Sequence, residues 1–201
     1  MEPLREDDVD PDPLRQFARW FEDARAAGVF EPEAMALATA TPEGAPSVRM
    51  VLLKGHDERG LVFFTNYRSR KGRELEANPQ AALLFHWKEL GRQVRVEGTV
   101  TRVSREATEA YARTRPRGSR LSALASPQSE VVASREELEA RVRELDAAHP
   151  GDDVPVAEWW GGYRLAPRAW EFWQHGEHRL HDRLRYRRLP EGGWAIERLA
   201  P

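Results

Sequence analysis

Apolar residues recur at helical spacing near the start of this chain and at strand spacing through most of its remaining length. After Pro13, the residues Leu14, Phe17, Ala18, Phe21 and Ala24 fall on one helical face, and Gly28 supplies a stop. Five β-rich segments come next, at 35–41, 47–54, 61–66, 81–87 and 93–103. Pro42-Glu43-Gly44-Ala45-Pro46 turns the chain between the first two, and residues 55–60 turn it before the third. In the fifth, Gln93, Arg95 and Glu97 alternate with Val94 and Val96, so one face is polar and the other is core.

Short helices interrupt and extend this series. Residues 69–77 predict one, closed by Asn78-Pro79; Ser104 caps a second that runs to 113. Ser134-Arg135-Glu136-Glu137 is a capping box that opens a third, through 145. After a loop at 149–155, four more strands are predicted at 160–165, 169–174, 179–187 and 194–199, the last two joined by Pro190-Glu191-Gly192-Gly193. Strands joined mostly by short turns, with no alternation of strand and helix, predict a mainly β fold: an antiparallel sheet closed as a barrel and decorated by helices. Residues 1–11 are acidic and polar and are expected to form a mobile arm, leaving 12–201 as a single domain.

Composition narrows the chemistry. The chain has no cysteine, which excludes disulfides, thiolate metal sites and cysteine nucleophiles. Its formal net charge of -2 argues against a nucleic-acid binder. No apolar run approaches a membrane span, and the acidic start is unlike a signal peptide, so a cytoplasmic protein is expected. Of 31 cationic residues only Lys54, Lys71 and Lys88 are lysines, which singles them out as places where a compact ammonium is used.

Three segments concentrate candidate chemistry, and a fourth lies near the C-terminus. The helix at 69–77 opens Ser69-Arg70-Lys71, and two cations in a first turn oppose the helix dipole unless an anion docks there. Arg49 and Lys54 bracket an apolar strand, either as its wet ends or as two arms toward a ligand. Tyr111, Arg115, Arg117 and Ser119 offer guanidinium, hydroxyl and amide donors together, suited to a phosphate or to a plain surface loop. In the fourth, Arg179, His181 and Arg183 alternate with Leu180, Asp182 and Leu184. On a strand they share one face, which is either a solvated edge or the wall of an anion site. His175, His178 and His181 are three apart, which is not a strand's same-face spacing, and no carboxylate pattern completes a metal site. Phosphate-loop, dinucleotide and nucleophile-elbow motifs are absent from the sequence.

Taken in order, these segments resemble the pyridoxine and pyridoxamine 5′-phosphate oxidase family. The resemblance rests on Arg49-Met50-Val51-Leu52-Leu53-Lys54, Phe63-Phe64-Thr65-Asn66 with Ser69-Arg70-Lys71, Arg92-Gln93-Val94, Arg179-Leu180-His181-Asp182-Arg183 and the terminal Arg198-Leu199-Ala200-Pro201. It implies an antiparallel Greek-key split β-barrel, a homodimer, and FMN in each of two clefts between subunits. Carried over by motif position, Arg49, Met50, Val51, Leu52, Lys54, Phe64, Thr65, Arg70, Lys71, Gln93, Gln128, Ser129, Trp173 and Arg183 would hold FMN. Lys54, Tyr111, Arg115 and Ser119 would hold the substrate phosphate, with Arg179 and His181 as the catalytic pair over the substrate ring. The reaction implied is oxidation of pyridoxamine 5′-phosphate or pyridoxine 5′-phosphate by hydride transfer to flavin, with oxygen as acceptor. Phe64 stands where the family usually has tyrosine, and the arm is acidic where the family's is often basic. The competing readings are a split-barrel flavin oxidase on another substrate, such as a phenazine precursor, and a non-catalytic flavin or pyridoxal phosphate carrier. The joint presence of Arg179, His181, Tyr111, Arg115 and Ser119 argues against the first, and turnover would separate the second.

Overall fold

A computed structural model describes residues 2–201. The first helix, α1 (Pro13–Ala26), begins where its caps dictate: Asp12 accepts from the Leu14 amide at 2.9 Å, and proline takes the first helical position. It is followed by β1 (Ala34–Ala40), β2 (Pro46–Leu52), β3 (Gly55–Asp57), β4 (Gly60–Asn66), α2 (Arg70–Ala77), β5 (Gln80–Trp87) and β6 (Arg92–Arg102). Three helices, α3 (Arg105–Thr114), α4 (Arg117–Ala125) and α5 (Arg135–Ala148), precede β7 (Trp160–Gln174), β8 (Asp182–Arg188) and β9 (Trp194–Arg198). No helix among the described residues is long and apolar enough to cross a membrane.

All pairings are antiparallel, and the sheet runs β2-β1-β5-β6-β7-β4-β3, with β8 on β7 and β9 on β8. Because β3 follows β2 directly in the chain, the two ends of this order must curl toward each other. The chain crosses between them at Leu53 and Lys54, where the Leu53 amide donates to the Glu33 carbonyl at 2.9 Å and the Lys54 amide to the Val62 carbonyl at 2.8 Å. The curled, split barrel agrees with the expected fold class.

Two expected strands prove to be one. Residues 160–165 and 169–174 form the single strand β7, whose first half pairs with β4 and second half with β8, while β6 pairs along nearly its whole length. Ala166-Pro167-Arg168 suggests a break because proline cannot donate to a ladder. Here Pro167 falls where β7 changes neighbours and where the β6 register slips at Glu97/Gly98, so the ladder tolerates it. Gly98 is required at that slip, since a Cβ would lie 2.1 Å from the Ala166 carbonyl oxygen. Helix α4 is a further addition to the expected elements. Its short apolar set follows Arg115-Pro116-Arg117-Gly118, a sequence that points to a loop.

The expected strand at 179–187 also needs correction, because β8 begins only at Asp182. Glu177–Arg179 form a 3-10 turn with His178 at φ 52 and Arg179 at φ 67. Gly176 packs against the Leu180 carbonyl, and its amide donates to His181 Nδ1 at 3.2 Å. The alternation of cations at 179–183 therefore spans a loop and a strand start, and Arg179, His181 and Arg183 share no strand face. The N-terminal segment lies against the far end of the sheet, with Leu4 and Val9 inside the core cluster.

The core gathers between α1 and the concave face of the sheet. Phe17 stands at its centre, fully buried, with ring centroids 5.0 Å from Phe85, 5.6 Å from Phe21 and 5.6 Å from Trp170. Truncating such a ring removes buried area and leaves a cavity between rigid aromatic neighbours. Phe17→Ala is expected to destabilise the fold by about 3–5 kcal/mol. Urea unfolding would read this as a lower midpoint at unchanged slope, and a loss under about 1 kcal/mol would show that α1 is not what closes the core.

Candidate active site

The start of α2 is built to turn a lysine inward. Ser69 caps the helix, accepting from the Gly72 amide at 3.3 Å and donating to the Asn66 carbonyl at 2.6 Å. Helix and loop approach so closely that a Cβ on Gly72 would lie 2.1 Å from the Tyr67 carbonyl oxygen. Lys71 is consequently buried, and its ammonium donates to Gln128 Oε1 at 3.0 Å, Thr65 Oγ1 at 3.1 Å and Ser69 Oγ at 3.4 Å. All three partners are neutral. Burial, and then the nearby Arg49 guanidinium, push the Lys71 pKa down to about 8.

Beside it, Arg49 and Arg70 meet at Glu74. Arg70 Nε donates to Glu74 Oε1 at 2.9 Å, and Arg49 reaches Glu74 Oε2 at 3.4 Å while also bonding Thr39 Oγ1 at 2.6 Å and the Leu37 carbonyl at 3.1 Å. Burial alone would raise the Glu74 pKa, but hydrogen bonds from Ser47, Thr39 and Arg70 outweigh it and hold it at about 2. Glu74 is not among the candidates the sequence offers; its only signal there is the four-residue spacing from Arg70.

Lys71 lines a cleft of about 740 Å³ that also takes Met50, Val51, Leu52, Lys54, Phe64, Thr65, Tyr111, Arg115, Ser119 and Gln128. Two helix starts thus open on one cavity, α2 with Lys71 and α4 with Ser119 in its first turn. Phe64 stacks on Tyr111 with centroids 4.0 Å apart, and the Arg115 guanidinium lies 4.8 Å above the Trp160 ring. Phe64 thus serves as an aromatic wall without a hydroxyl. Ser129, at φ 73, follows Gln128 and does not line the cleft. A larger groove of about 880 Å³ lies between the start of α1 and Trp194, but Asp10 and Asp57 already partner its Arg15 and Arg59. Chemistry rather than volume selects the cleft at Lys71.

The remaining candidates stand elsewhere. Gln93, Trp173 and Arg183 are register partners across β6, β7 and β8, so they form one row. Their face is the outer one, because their neighbours Val94, Phe172 and Leu184 point into the core. Arg183 donates to Glu171 at 2.8 Å and to the Ala200 carbonyl at 2.9 Å. His181 packs at 4.6 Å from Trp173 and 5.3 Å from His175. Its Nδ1 accepts from Gly176, so a neutral ring carries its proton at Nε2. Arg179 is exposed. None of these five lines the cleft at Lys71.

Comparison with known proteins gives this geometry a family. In fold the chain is an FMN-binding-type split barrel. It superposes with a TM-score of 0.93 on PhzG from Burkholderia lata, solved with tetrahydrophenazine-1-carboxylic acid, at 35% identity over 100% of this chain and 99% of that one. A pyridoxamine 5′-phosphate oxidase-related, FMN-binding protein from Nostoc punctiforme shares the fold at a TM-score of 0.75 and 21% identity, over 94% and 98% of the two chains. The pyridoxamine 5′-phosphate oxidase family model matches residues 21–148, and the pyridoxine 5′-phosphate oxidase C-terminal dimerisation region matches residues 160–201. The chain belongs to the pyridoxamine 5′-phosphate oxidase family. Relatives named pyridoxine/pyridoxamine 5′-phosphate oxidase include one from Rubrobacter xylanophilus, 62% identical over 98% of this chain and 91% of its own length. Another, from Trichormus variabilis, is 54% identical over 100% of this chain and 94% of its own.

A lysine held among neutral oxygens should titrate early. In the flavin-free protein, the Lys71 Cε resonance is expected to shift with a midpoint near pH 8. A midpoint at the ordinary lysine value would mean that an unseen anion already compensates the ammonium.

Proposed function

We propose that this protein oxidises pyridoxamine 5′-phosphate and pyridoxine 5′-phosphate to pyridoxal 5′-phosphate, with FMN as its cofactor and oxygen as the final acceptor. One observation carries the reading: a buried ammonium with no carboxylate partner, at a helix start, in a cleft that also takes Arg115 at the end of α3 and Ser119 in the first turn of α4. Two anion positions in one cavity suit a flavin phosphate and a substrate phosphate. The donor set therefore fits FMN, with Lys71, Thr65 and Gln128 in the cleft, and Arg49 and Arg70 just outside its lining, toward the flavin phosphate, and Phe64 with the β2 end toward the flavin ring. When bound, FMN would supply the two-electron acceptor for the hydride leaving substrate C4′, with oxygen as the final acceptor reduced to hydrogen peroxide. Lys54, Tyr111, Arg115 and Ser119 hold the substrate phosphate and so fix the distance from phosphate to reacting carbon. Arg179 balances negative charge on the substrate, and His181 donates from Nε2 or exchanges a proton there. With the amine substrate, the product imine takes up water to release ammonia.

The protein is a homodimer, and the two halves of the site explain why it needs to be. The Lys71 cleft and the row Gln93–Trp173–Arg183 lie apart in one chain, the row on the outer face of the sheet. A two-fold axis brings the cleft of each subunit to the row of the other, making two equal sites. The outer face of β2 and β5 supplies apolar surface for such contact, with Val48 68% and Met50 63% exposed and Leu84 nearby. PhzG, with the same fold, was solved with a carboxylic acid ligand. The convergence of Tyr111 from α3, Arg115 from its end and Ser119 from the start of α4 on one cleft favours a phosphate ester here. Peroxide release on adding pyridoxamine 5′-phosphate tests the activity, and flavin binding without turnover would leave only a carrier.

Two further outcomes are expected. Arg115→Ala and Arg179→Ala should each be nearly inactive alone, yet chains mixed by co-refolding should regain about a quarter of wild-type activity, because half of the dimers are mixed and each has one intact site. No recovery would place both arginines in one subunit's site. FMN affinity should be highest between about pH 6 and 8. Below that window the phosphate gains its second proton. Above it Lys71, whose folded pKa is depressed to about 8, loses the charge that binds the dianion. Lys71→Ala should cost about 1.5–3 kcal/mol of FMN affinity and abolish the alkaline fall. Fluorescence quenching of FMN against pH would measure both, and an alkaline fall that survives in Lys71→Ala would assign it to another group.

A further inference from the structure

The buried carboxylate beside the phosphate cradle is the group that the reaction leaves without a role. Glu74 is 6% exposed in its side chain and joins three elements. Its Oε2 accepts from Thr39 Oγ1 of β1, from Ser47 Oγ of β2 at 2.6 Å and from Arg49 of β2 at 3.4 Å, while its Oε1 accepts from Arg70 of α2 at 2.9 Å. A buried carboxylate is tolerable only when its lone pairs are met this fully. Its hydroxyl partners could have satisfied a neutral amide as well. What a neutral side chain would not do is anchor two guanidiniums from different elements.

We propose that Glu74 is a positioning and specificity residue for the flavin phosphate: it fixes Arg49 and Arg70 beside Lys71 and sets the cradle's charge to match a terminal phosphomonoester. The inference rests on the FMN reading of the cleft. Three cations, Arg49, Arg70 and Lys71, stand against the one carboxylate of Glu74, leaving two net positive charges. A phosphomonoester carries about -1.5 to -2 at pH 7, so the match is close. The geometry gives the same answer. Arg70 is 59% exposed in its side chain and spends only its Nε on Glu74, which leaves both terminal nitrogens of the guanidinium for a ligand. Unanchored, that long side chain would have to be ordered at the moment of binding, and the cost would fall on affinity.

The test compares FMN with riboflavin, which lacks the phosphate, by fluorescence quenching on the flavin-free protein. Glu74→Gln is expected to weaken FMN by at least about tenfold, the loss of a charged hydrogen bond, and to leave riboflavin within about twofold. Glu74→Asp, which keeps the charge on a shorter stem, should recover part of the loss. FMN bound as tightly or more tightly by Glu74→Gln would overturn the proposal, since the carboxylate would then only repel the phosphate. Equal loss for FMN and riboflavin would overturn it too, because Glu74 would then serve the fold alone. If wild type binds riboflavin as well as FMN, the phosphate assignment of the cleft fails, an outcome the other two do not produce. Should Glu74→Gln not fold, Ser47→Ala removes one donor and no charge, and about a threefold loss confined to FMN is then expected.

Discussion

A buried ammonium without a counter-ion is the constraint around which this cleft is arranged. Lys71 gives up water for three neutral oxygens, and the resulting penalty is visible in its lowered pKa. Such a position persists only because neighbouring structure over-determines it: the Ser69 cap, the closeness of Gly72 to Tyr67 and the loop carrying Gln128 all converge there. The uncompensated charge suits the position to a ligand that brings negative charge. Arg49 adds to the same deficit, while Glu74 limits it. The local field is therefore strongly positive in a protein whose net charge is slightly negative.

A second constraint comes from the two-sidedness of sheets. Side chains on adjacent residues of a strand point to opposite faces, so β6 cannot offer Val94 to the core and Gln93 to the same side. The row Gln93–Trp173–Arg183 is committed to the outer face once the core residues between are committed inward. A single subunit thus cannot bring that row to the Lys71 cleft without breaking its own core. The proposed two-fold association would resolve the conflict without moving a strand, and Val48 and Met50 are apolar residues that an isolated subunit leaves in water.

Much of this is legible in the sequence, and the exceptions have local causes. The caps at Ser104 and Ser134 mark helix starts because capping is decided within four residues. The alternation in β6 marks its faces for the same reason. The continuity of β7 through Pro167 is hidden, since it depends on a register slip in a different strand. The turn at Glu177–Arg179 is hidden because the alternating cations at 179–183 imitate a strand, whereas the left-handed His178 and Arg179 and the bond from Gly176 to His181 make the reversal. Glu74 is invisible as a site residue because its partners, Thr39, Ser47 and Arg49, come from two strands far away in sequence. The split of the candidates into two groups needs the sheet order, which no local pattern encodes.

The acidic N-terminal segment makes sense beside the chain's last strand. Arg198 bonds both Glu6 oxygens at 2.9 Å, the Leu4 carbonyl at 2.7 Å and Asp182 at 2.6 Å, and the Leu4 amide donates to Asp182 at 3.0 Å. The exposed Arg198–Glu6 pair is worth little by itself, about 0–1 kcal/mol. Burial of Leu4 and Val9 in the core does more to hold the segment, and the charges set where it lies. What they hold is the start of β8. Asp182 stands between His181 and Arg183, and the Leu199 amide donates to the Arg183 carbonyl at 2.9 Å. Both chain ends therefore converge on the segment that carries His181 and Arg183, and an acid at position 6 gives Arg198 its partner at this junction.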